Sequence, residues 1–207
     1  MKRLWIFLMG MALFASCTKN NDSTIVLVGD ESYIDDILSV VSDTAFWHDF
    51  GNINEGTFPP DIQGTYLVDP KLRIGTNVEN IPTQIVEPSV KLRFTKQHNG
   101  IMVMEMLDGT ETVTDTVFVM GDASKFTIYF TEDKHFELPF ENVVYHMKLR
   151  RGIVMTGRKT TEGLADFRMA TIVMNMDDNS GGLMEQYPVG SYFIYKDGDG
   201  LASNTEW

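Results

Sequence analysis

The stretch that decides the fold is Val90-Lys91-Leu92-Arg93-Phe94, in which apolar and charged residues alternate. Successive side chains of a β-strand point to opposite faces, so this alternation gives one buried face and one solvated face. Runs of similar character fill most of the chain after residue 62, and the sequence predicts a mainly β protein. The predicted strands are residues 63–68, 90–94, 100–107, 112–120, 125–131, 142–151, 153–159, 168–176 and 189–196.

Turn-forming residues separate these runs, among them Asp108-Gly109, Gly121-Asp122, Glu132-Asp133-Lys134 and Arg151-Gly152. Consecutive hairpins with no long helices between them predict an antiparallel, up-and-down meander. An open sheet of about eight or nine strands would leave two unpaired edges, and closure into a barrel removes them. We therefore expect an antiparallel up-and-down β-barrel over residues 59–207.

The preceding residues, 25–58, are predicted to form an N-terminal helical segment that starts with a short strand at residues 25–29. A helix is expected at residues 32–42, because Ser32 begins a capping pattern and apolar residues recur at helical spacing. Those apolar residues are Ile34, Ile37, Leu38 and Val41. An aromatic cluster follows before Gly51 and extends the apolar side of the helix. We expect this one helix to pack on the barrel or to cap it.

The first seventeen residues have the pattern of a secretion signal that ends on a cysteine. Lys2 and Arg3 precede an apolar run at residues 4–14, and Ala15-Ser16 supply small residues before Cys17. The run is shorter than the ~20 residues of a bilayer-spanning helix. The pattern predicts a signal peptide at residues 1–16, and an acylated Cys17 followed by a flexible tether at residues 17–24. The alternatives are an ordinary secretion signal with an incidental Cys17, or a buried free thiol.

Four stretches of the sequence carry a family resemblance. Leu13-Phe14-Ala15-Ser16-Cys17 resembles the lipobox of Gram-negative lipoproteins, in which the cysteine receives acyl chains such as palmitate. Gly64-Thr65-Tyr66 resembles the Gly-x-aromatic start of the first strand in lipocalin-like proteins, with tyrosine where lipocalins carry tryptophan. With Gly157-Arg158-Lys159-Thr160-Thr161 and Lys196-Asp197-Gly198-Asp199-Gly200, the chain resembles a group of lipocalin-like lipoproteins from Gram-negative gut bacteria.

The resemblance implies a lipocalin-like barrel anchored in the outer membrane through N-terminal acyl chains, on its periplasmic or its cell-surface side. It implies no activity. The charge of the chain is −12, and it becomes −14 once residues 1–16 are removed with Lys2 and Arg3. Such a balance disfavours nucleic acid as a partner, because phosphate binding needs clusters of Lys and Arg. We expect a monomer.

Three methionines mark a candidate ligand-lining face. Met102, Met104 and Met106 lie at alternate positions of one predicted strand and so point to one face. They have three interpretations: plain core, the lining of an adaptable apolar cavity, or a thioether site for Cu(I). The resemblance places Tyr66 across the floor of the same barrel.

A basic concentration in this acidic chain is a candidate contact for an anionic headgroup or a glycan. It consists of Lys148, Arg150, Arg151, Arg158 and Lys159. If Arg151-Gly152 is a hairpin turn, these side chains gather near one end of that hairpin. The alternative is a charged rim that maintains solubility.

The sequence contains no catalytic or cofactor motif. Its four histidines lack the spacing of a zinc site, and Asp197-Gly198-Asp199-Gly200 is too short for a calcium loop and is predicted to be a turn. We therefore expect a protein that is not an enzyme and holds no metal or cofactor. The expected function is binding of a small apolar or amphipathic ligand inside the barrel. The alternative is a surface interaction module with a filled barrel that contacts a protein or a glycan. A third class, a hydrolase that uses scattered carboxylates, has no residue spacing to support it.

Overall fold

The structure, a computed structural model, describes residues 32–41, 43–140, 143–178 and 187–207. This part of the chain is mainly antiparallel β-sheet, with eleven strands and two short helices. The helices are α1 (Ser32–Ser39) and α2 (Thr44–Phe50). The strands are β1 (Gly64–Val68), β2 (Lys71–Thr76), β3 (Ile85–Glu87), β4 (Val90–His98), β5 (Ile101–Asp108), β6 (Glu111–Asp122), β7 (Lys125–Phe140), β8 (Val143–Lys159), β9 (Gly163–Asp178), β10 (Tyr192–Asp197) and β11 (Leu201–Asn204).

Eight of these strands form a closed hydrogen-bonded ring. The order runs β11-β1-β4-β5-β6-β7-β8-β9, and β11 also pairs with β9 through Leu201↔Ala165 and Ala202↔Leu164. The same edge of β9 pairs with β11 near its start and with β10 at residues 168–172. From β10 the sheet continues into β2 and β3. The predicted up-and-down order is therefore confirmed from β4 to β10, except that the two strands predicted at residues 142–151 and 153–159 are the single strand β8. The strands β2 and β3 were not predicted, and they do not lie between β1 and β4 in the sheet.

Three strands are longer than their neighbours. The strands β7 and β8 pair without interruption from Lys125↔Arg158 to Phe140↔Val143. The predicted turn at Glu132-Asp133-Lys134 is thus wrong, because these residues continue β7. We call residues 131–140 of β7, 143–152 of β8 and 173–178 of β9 the arm. At 3.3 Å per residue it is roughly 30 Å long.

The predicted hairpin at Arg151-Gly152 is also wrong, because both residues lie inside β8. Glycine is needed there for close approach, not for a turn. A Cβ atom on Gly152 would lie only 2.5 Å from Cγ2 of Ile37 in α1. A glycine inside a strand often marks such contact, and here it lets α1 press directly on the sheet.

The described part of the helical segment, residues 32–41 and 43–58, contains two helices where one was predicted. The helix α1 ends at Ser39, and a second begins after Asp43, whose carboxylate accepts a hydrogen bond from Ala45 N at 2.8 Å. Gly51 ends α2 with φ of 85°, a value that favours glycine. The aromatic residues predicted to extend one helix therefore belong to α2. Both helices pack on the outer face of the ring and create a second core around Phe46, Phe50 and Tyr192.

The predicted leader, Cys17, the tether and the short strand at residues 25–29 all lie outside the described residues. Within the described ranges, no helix is long and apolar enough to cross a membrane.

Candidate functional site: the charged end of the ring

The ring interior is packed with apolar side chains. Met102, Met104 and Met106 all point inward from β5 and are at most 5% exposed. They belong to one core cluster with Phe94 of the neighbouring strand β4 and with Phe130 of β7. The prediction that the three methionines share one buried face is confirmed, and they are part of a filled core.

Tyr66 lies at one end of this interior, which we call the floor. Its ring is fully buried, and its hydroxyl donates to the carbonyl of Ile62 at 2.9 Å. Lys159 Nζ donates to Tyr66 Oη at 2.7 Å and lies 4.8 Å from the centre of the ring. Burial, with a smaller effect of Asp61, raises the pKa of Tyr66 to about 12, and burial lowers the pKa of Lys159. This pair closes the floor.

Charged side chains lie across the opposite end of the ring. We call them the charged layer: Glu111 and Asp115 from β6, Glu132 and Lys134 from β7, and Arg151 from β8. Even-numbered residues of β7 face inward, as Phe126, Ile128 and Phe130 show, so Glu132 and Lys134 continue the inner face. A crevice of about 20 Å³ separates part of this layer from Met106 and Val113.

Ion pairs connect most of the layer. Glu132 lies 2.7 Å from Arg151 Nη2 and 3.4 Å from Lys134 Nζ, and Glu111 lies 3.3 Å from the same lysine nitrogen. Lys134 is only 8% exposed. Burying ions is costly unless each one is paired, so these contacts are needed to hold the layer inside the ring.

Asp115 is the exception within the layer. It lies between the inward residues Val113 and Val117 on β6 and forms no ion pair with a described residue. Its carboxylate accepts only the adjacent Thr116 amide, at 2.7 Å. Burial raises the pKa of Asp115, and the negative charge of Glu132 raises it further. The layer thus holds three carboxylates against two cations.

A second charged set lies near the same end. Lys71 on β2 is 4% exposed, 3.3 Å from Asp108 and 5.3 Å from the ring centre of Tyr195. Arg73 on the same strand pairs with Glu87 of β3. Burial raises the pKa of Tyr195. This end of the ring is therefore rich in buried charge, whereas the middle is apolar.

The predicted basic concentration is not brought together. All five basic residues lie on the one continuous strand β8. The first and the last of the five, Lys148 and Lys159, are therefore about 36 Å apart along the strand. Arg151 is in the charged layer and Lys159 at the floor, while Arg158 pairs with Asp166 at 3.5 Å. The expected gathering near one hairpin end is therefore wrong, since it depended on a turn that does not exist.

Arg150, another member of that set, lines an open cleft outside the ring. This cleft of about 270 Å³ lies where α1 meets the arm. Its lining consists of Asp36 from α1, Thr131 from β7, Arg150 from β8, and Met174 and Asn175 from β9. Arg150 Nη2 donates to Thr131 Oγ1 at 3.4 Å, and Arg150 Nε lies 4.0 Å from Asp133 Oδ1. A guanidinium has five N–H donors, so Arg150 keeps donors for a ligand.

The turn at Asp197 is structural. Asp197 is 1% exposed and accepts hydrogen bonds from the backbone amides of Asp69, Asp199, Gly200 and Leu201 at 3.1–3.2 Å. The predicted turn is confirmed. Across the described ranges, no group of three or more histidine, cysteine, aspartate or glutamate side chains is arranged to hold a metal ion.

Sequence reasoning missed the charged layer. The polar run at residues 132–134 was interpreted as a turn because strands were expected to keep an apolar inner face. One signal of a charged inner face was present in the sequence. Asp115 stands midway between Val113 and Val117, so in a strand its side chain points to the same face as the two valines.

The chain was compared with protein-family models, with curated proteins and with solved structures. None of the three comparisons gave a match.

Proposed function

We propose that this chain is a lipid-anchored, non-catalytic binding module of the bacterial envelope, built on a filled lipocalin-like barrel that makes its contact from outside. The observation that supports this most is a difference in volume. The crevice beside Met106 holds about 20 Å³, and the cleft between α1 and the arm holds about 270 Å³. Sites for small molecules take roughly 300–1,000 Å³, so the outer cleft is close to that range and the inner crevice is far below it.

The cleft suits an anionic glycan. A carboxylate, a carboxamide, a hydroxyl and a guanidinium provide both donors and acceptors, which hydroxyl-rich ligands need. Arg150 adds a planar fork that can hold a carboxylate through two parallel hydrogen bonds. Met174 offers an apolar surface for the face of a sugar ring. We therefore place a uronic-acid residue in this cleft.

The leader supports the location that we propose. Acylation of Cys17 would anchor the module in the outer membrane, with the polypeptide in water and the chain acting as a monomer. Two or more acyl chains bind a bilayer firmly, at about 0.8 kcal/mol per buried CH₂ group. The resemblance to lipocalin-like lipoproteins supports this arrangement, as does the Tyr66 side chain across the floor of the ring.

Two arginines on β8 allow a matched test. Arg150 and Arg158 are each 45% exposed, and each approaches one aspartate, but only Arg150 lines the cleft. Calorimetric titration with oligosaccharides that contain uronic acid should give saturable binding, at least tenfold weaker for Arg150→Ala and unchanged for Arg158→Ala. An equal loss of affinity in both variants would indicate unspecific attraction between the oligosaccharide and positive charge. If the unmodified chain does not bind the oligosaccharides, the proposed glycan ligand is wrong.

A second candidate is an apolar ligand inside the ring. The soft, unbranched side chains of Met102, Met104 and Met106 favour it, because methionine adapts its shape to irregular neighbours. This function requires that the filled interior opens. An environment-sensitive fatty-acid probe should then bind saturably with one site per chain, and Met104→Phe should abolish the signal while the fold stays intact.

A further inference from the structure

The pairing of β6 and β7 stops before either strand ends. Hydrogen-bonded register joins the two strands from Asp122↔Lys125 to Phe118↔Tyr129. Beyond that point, β6 continues to Glu111 and β7 to Phe140, yet no ladder pairing joins these described stretches. We call the gap between residues 111–117 and 130–136 the seam. It is closed by side chains, since Lys134 reaches Glu111 across it.

Extending the register explains why the pairing stops. Three residues beyond Phe118↔Tyr129, Asp115 would stand directly opposite Glu132. Both side chains are on the inner face, and like charges placed directly opposite destabilise a strand pair. The charge of Glu132 is compensated by Arg151 and Lys134, whereas Asp115 has no cationic partner in the described part of the chain.

We propose that the seam is the part of the ring that opens, and that the charge on Asp115 controls it. When Asp115 is ionised, the two strands stay unpaired, and the small crevice beside Met106 can widen to admit solvent. When it is protonated, its repulsion from Glu132 disappears and the ladder can extend toward Val113. The inference is independent of the proposed glycan cleft, which lies on the outer face.

The charged groups at this end of the ring are Glu111 on the same strand as Asp115, Asp108 at the end of β5, Glu132 and Lys134 on β7, Arg151 on β8 and Lys71 on β2. Among them, Glu132 is the one whose charge acts on the pKa of Asp115, and it raises that pKa. Burial and Glu132 both favour the neutral form of Asp115, so its protonation falls at a higher pH than for an exposed aspartate. The folded chain is thereby stabilised at low pH, and this contribution is lost as the pH rises through the raised pKa.

The crevice of about 20 Å³ identifies where the opening starts. It is bounded by Glu111, Lys134 and Arg151 on one side and by Met106 and Val113 on the other. Separation of β6 from β7 would enlarge it directly toward the methionines. An unbranched apolar chain is the kind of molecule that could enter there, because the lining beyond the charges is apolar and soft.

Hydrogen exchange of the full chain, purified in detergent, tests the proposal. After correction for the intrinsic rate, the amides of Thr112, Thr114 and Thr116 should be at least threefold better protected at pH 4 than at pH 7.4, because they point toward β7 and alternate with the amides that point toward β5. Asp115→Asn should show the high protection at both values. Asp122→Asn is the control, because it removes a carboxylate from the exposed end of the same strand and should leave the pH response unchanged.

Oxidation by hydrogen peroxide gives a second measurement that needs no variant. Met106, which is 5% exposed beside the crevice, should be oxidised at least threefold more slowly at pH 4 than at pH 7.4, because closure of the seam removes its remaining access to solvent. The competing explanation is that the inward charges only prevent the unpaired strand edge from pairing with another chain. In that case protection and oxidation would not change between the two pH values, and the proposal would be wrong.

Discussion

The contact between Ile37 and Gly152 makes the strongest prediction about stability. Ile37 is fully buried, and its Cγ2 and Cγ1 atoms lie 2.5 and 2.9 Å from the position of a Cβ atom on Gly152. Ile37→Ala should therefore cost about 2–5 kcal/mol of the free energy of unfolding, the range for large-to-small changes in a core. Gly152→Ala should cost about 1–3 kcal/mol, because the added methyl group overpacks the same space.

The double variant distinguishes direct contact from two separate defects. In Ile37→Ala the clashing atoms are gone, and the remaining Cβ of residue 37 lies 3.2 Å from the new methyl group. The methyl group then fills part of the cavity, so the two costs should be less than additive by at least 0.5 kcal/mol. Urea unfolding of a soluble chain that starts at Thr18 measures all three values. Additive costs, or a loss below about 0.5 kcal/mol for Ile37→Ala, would refute the packing of α1 on the sheet.

Three further predictions concern other parts of the chain. Metabolic labelling with a palmitate analogue should mark the unmodified protein and miss Cys17→Ser; equal labelling would remove the lipid anchor from the proposal. Tyr66→Phe should cost about 1–3 kcal/mol in urea unfolding, because Lys159 loses its buried acceptor, and no loss would mean that the floor is not closed by this pair. Burial and Asp199 raise the pKa of Asp197 to about 6, so the stability this group contributes is full below about pH 4 and is lost as the pH rises through 6. The free energy of unfolding of the unmodified protein should accordingly fall relative to that of Asp197→Asn between pH 4 and pH 7. A difference between the two proteins that stays constant with pH would contradict this prediction.

The sequence predicted strands best where the alternation of polarity coincides with burial. Leu92 and Phe94 are fully buried while Lys91 and Arg93 are not, which is the pattern that their order implies. Shorter strands could not be predicted in this way. The strands β3 and β11 contain three and four residues, too few for a period to show, and their positions depend on partners that are distant in sequence.

The candidate site was harder to predict, for a physical reason. Alternation identifies an inner face by its apolar residues, so it fails where the inner face itself is charged. Glu132 and Lys134 are mostly buried, yet their polarity alone suggests a turn. Only the pairing of these residues with Arg151 and Glu111, which lie on other strands, makes their burial tolerable, and that pairing requires knowledge of the fold.

The interrupted pairing of β6 and β7 explains why one end of the ring depends on charged side chains. Both strands continue beyond Phe118↔Tyr129, but no ladder pairing joins their described residues there, so backbone hydrogen bonds alone do not close the ring at this end. Side chains that are long enough to bridge the gap must replace them, and the ion pair between Lys134 and Glu111 does so. Such a bridge depends on ionisation, whereas a backbone ladder does not. The end of the ring that is held by side chains is therefore the end at which pH can alter the structure, and Asp115 is the group at which we expect that change to begin.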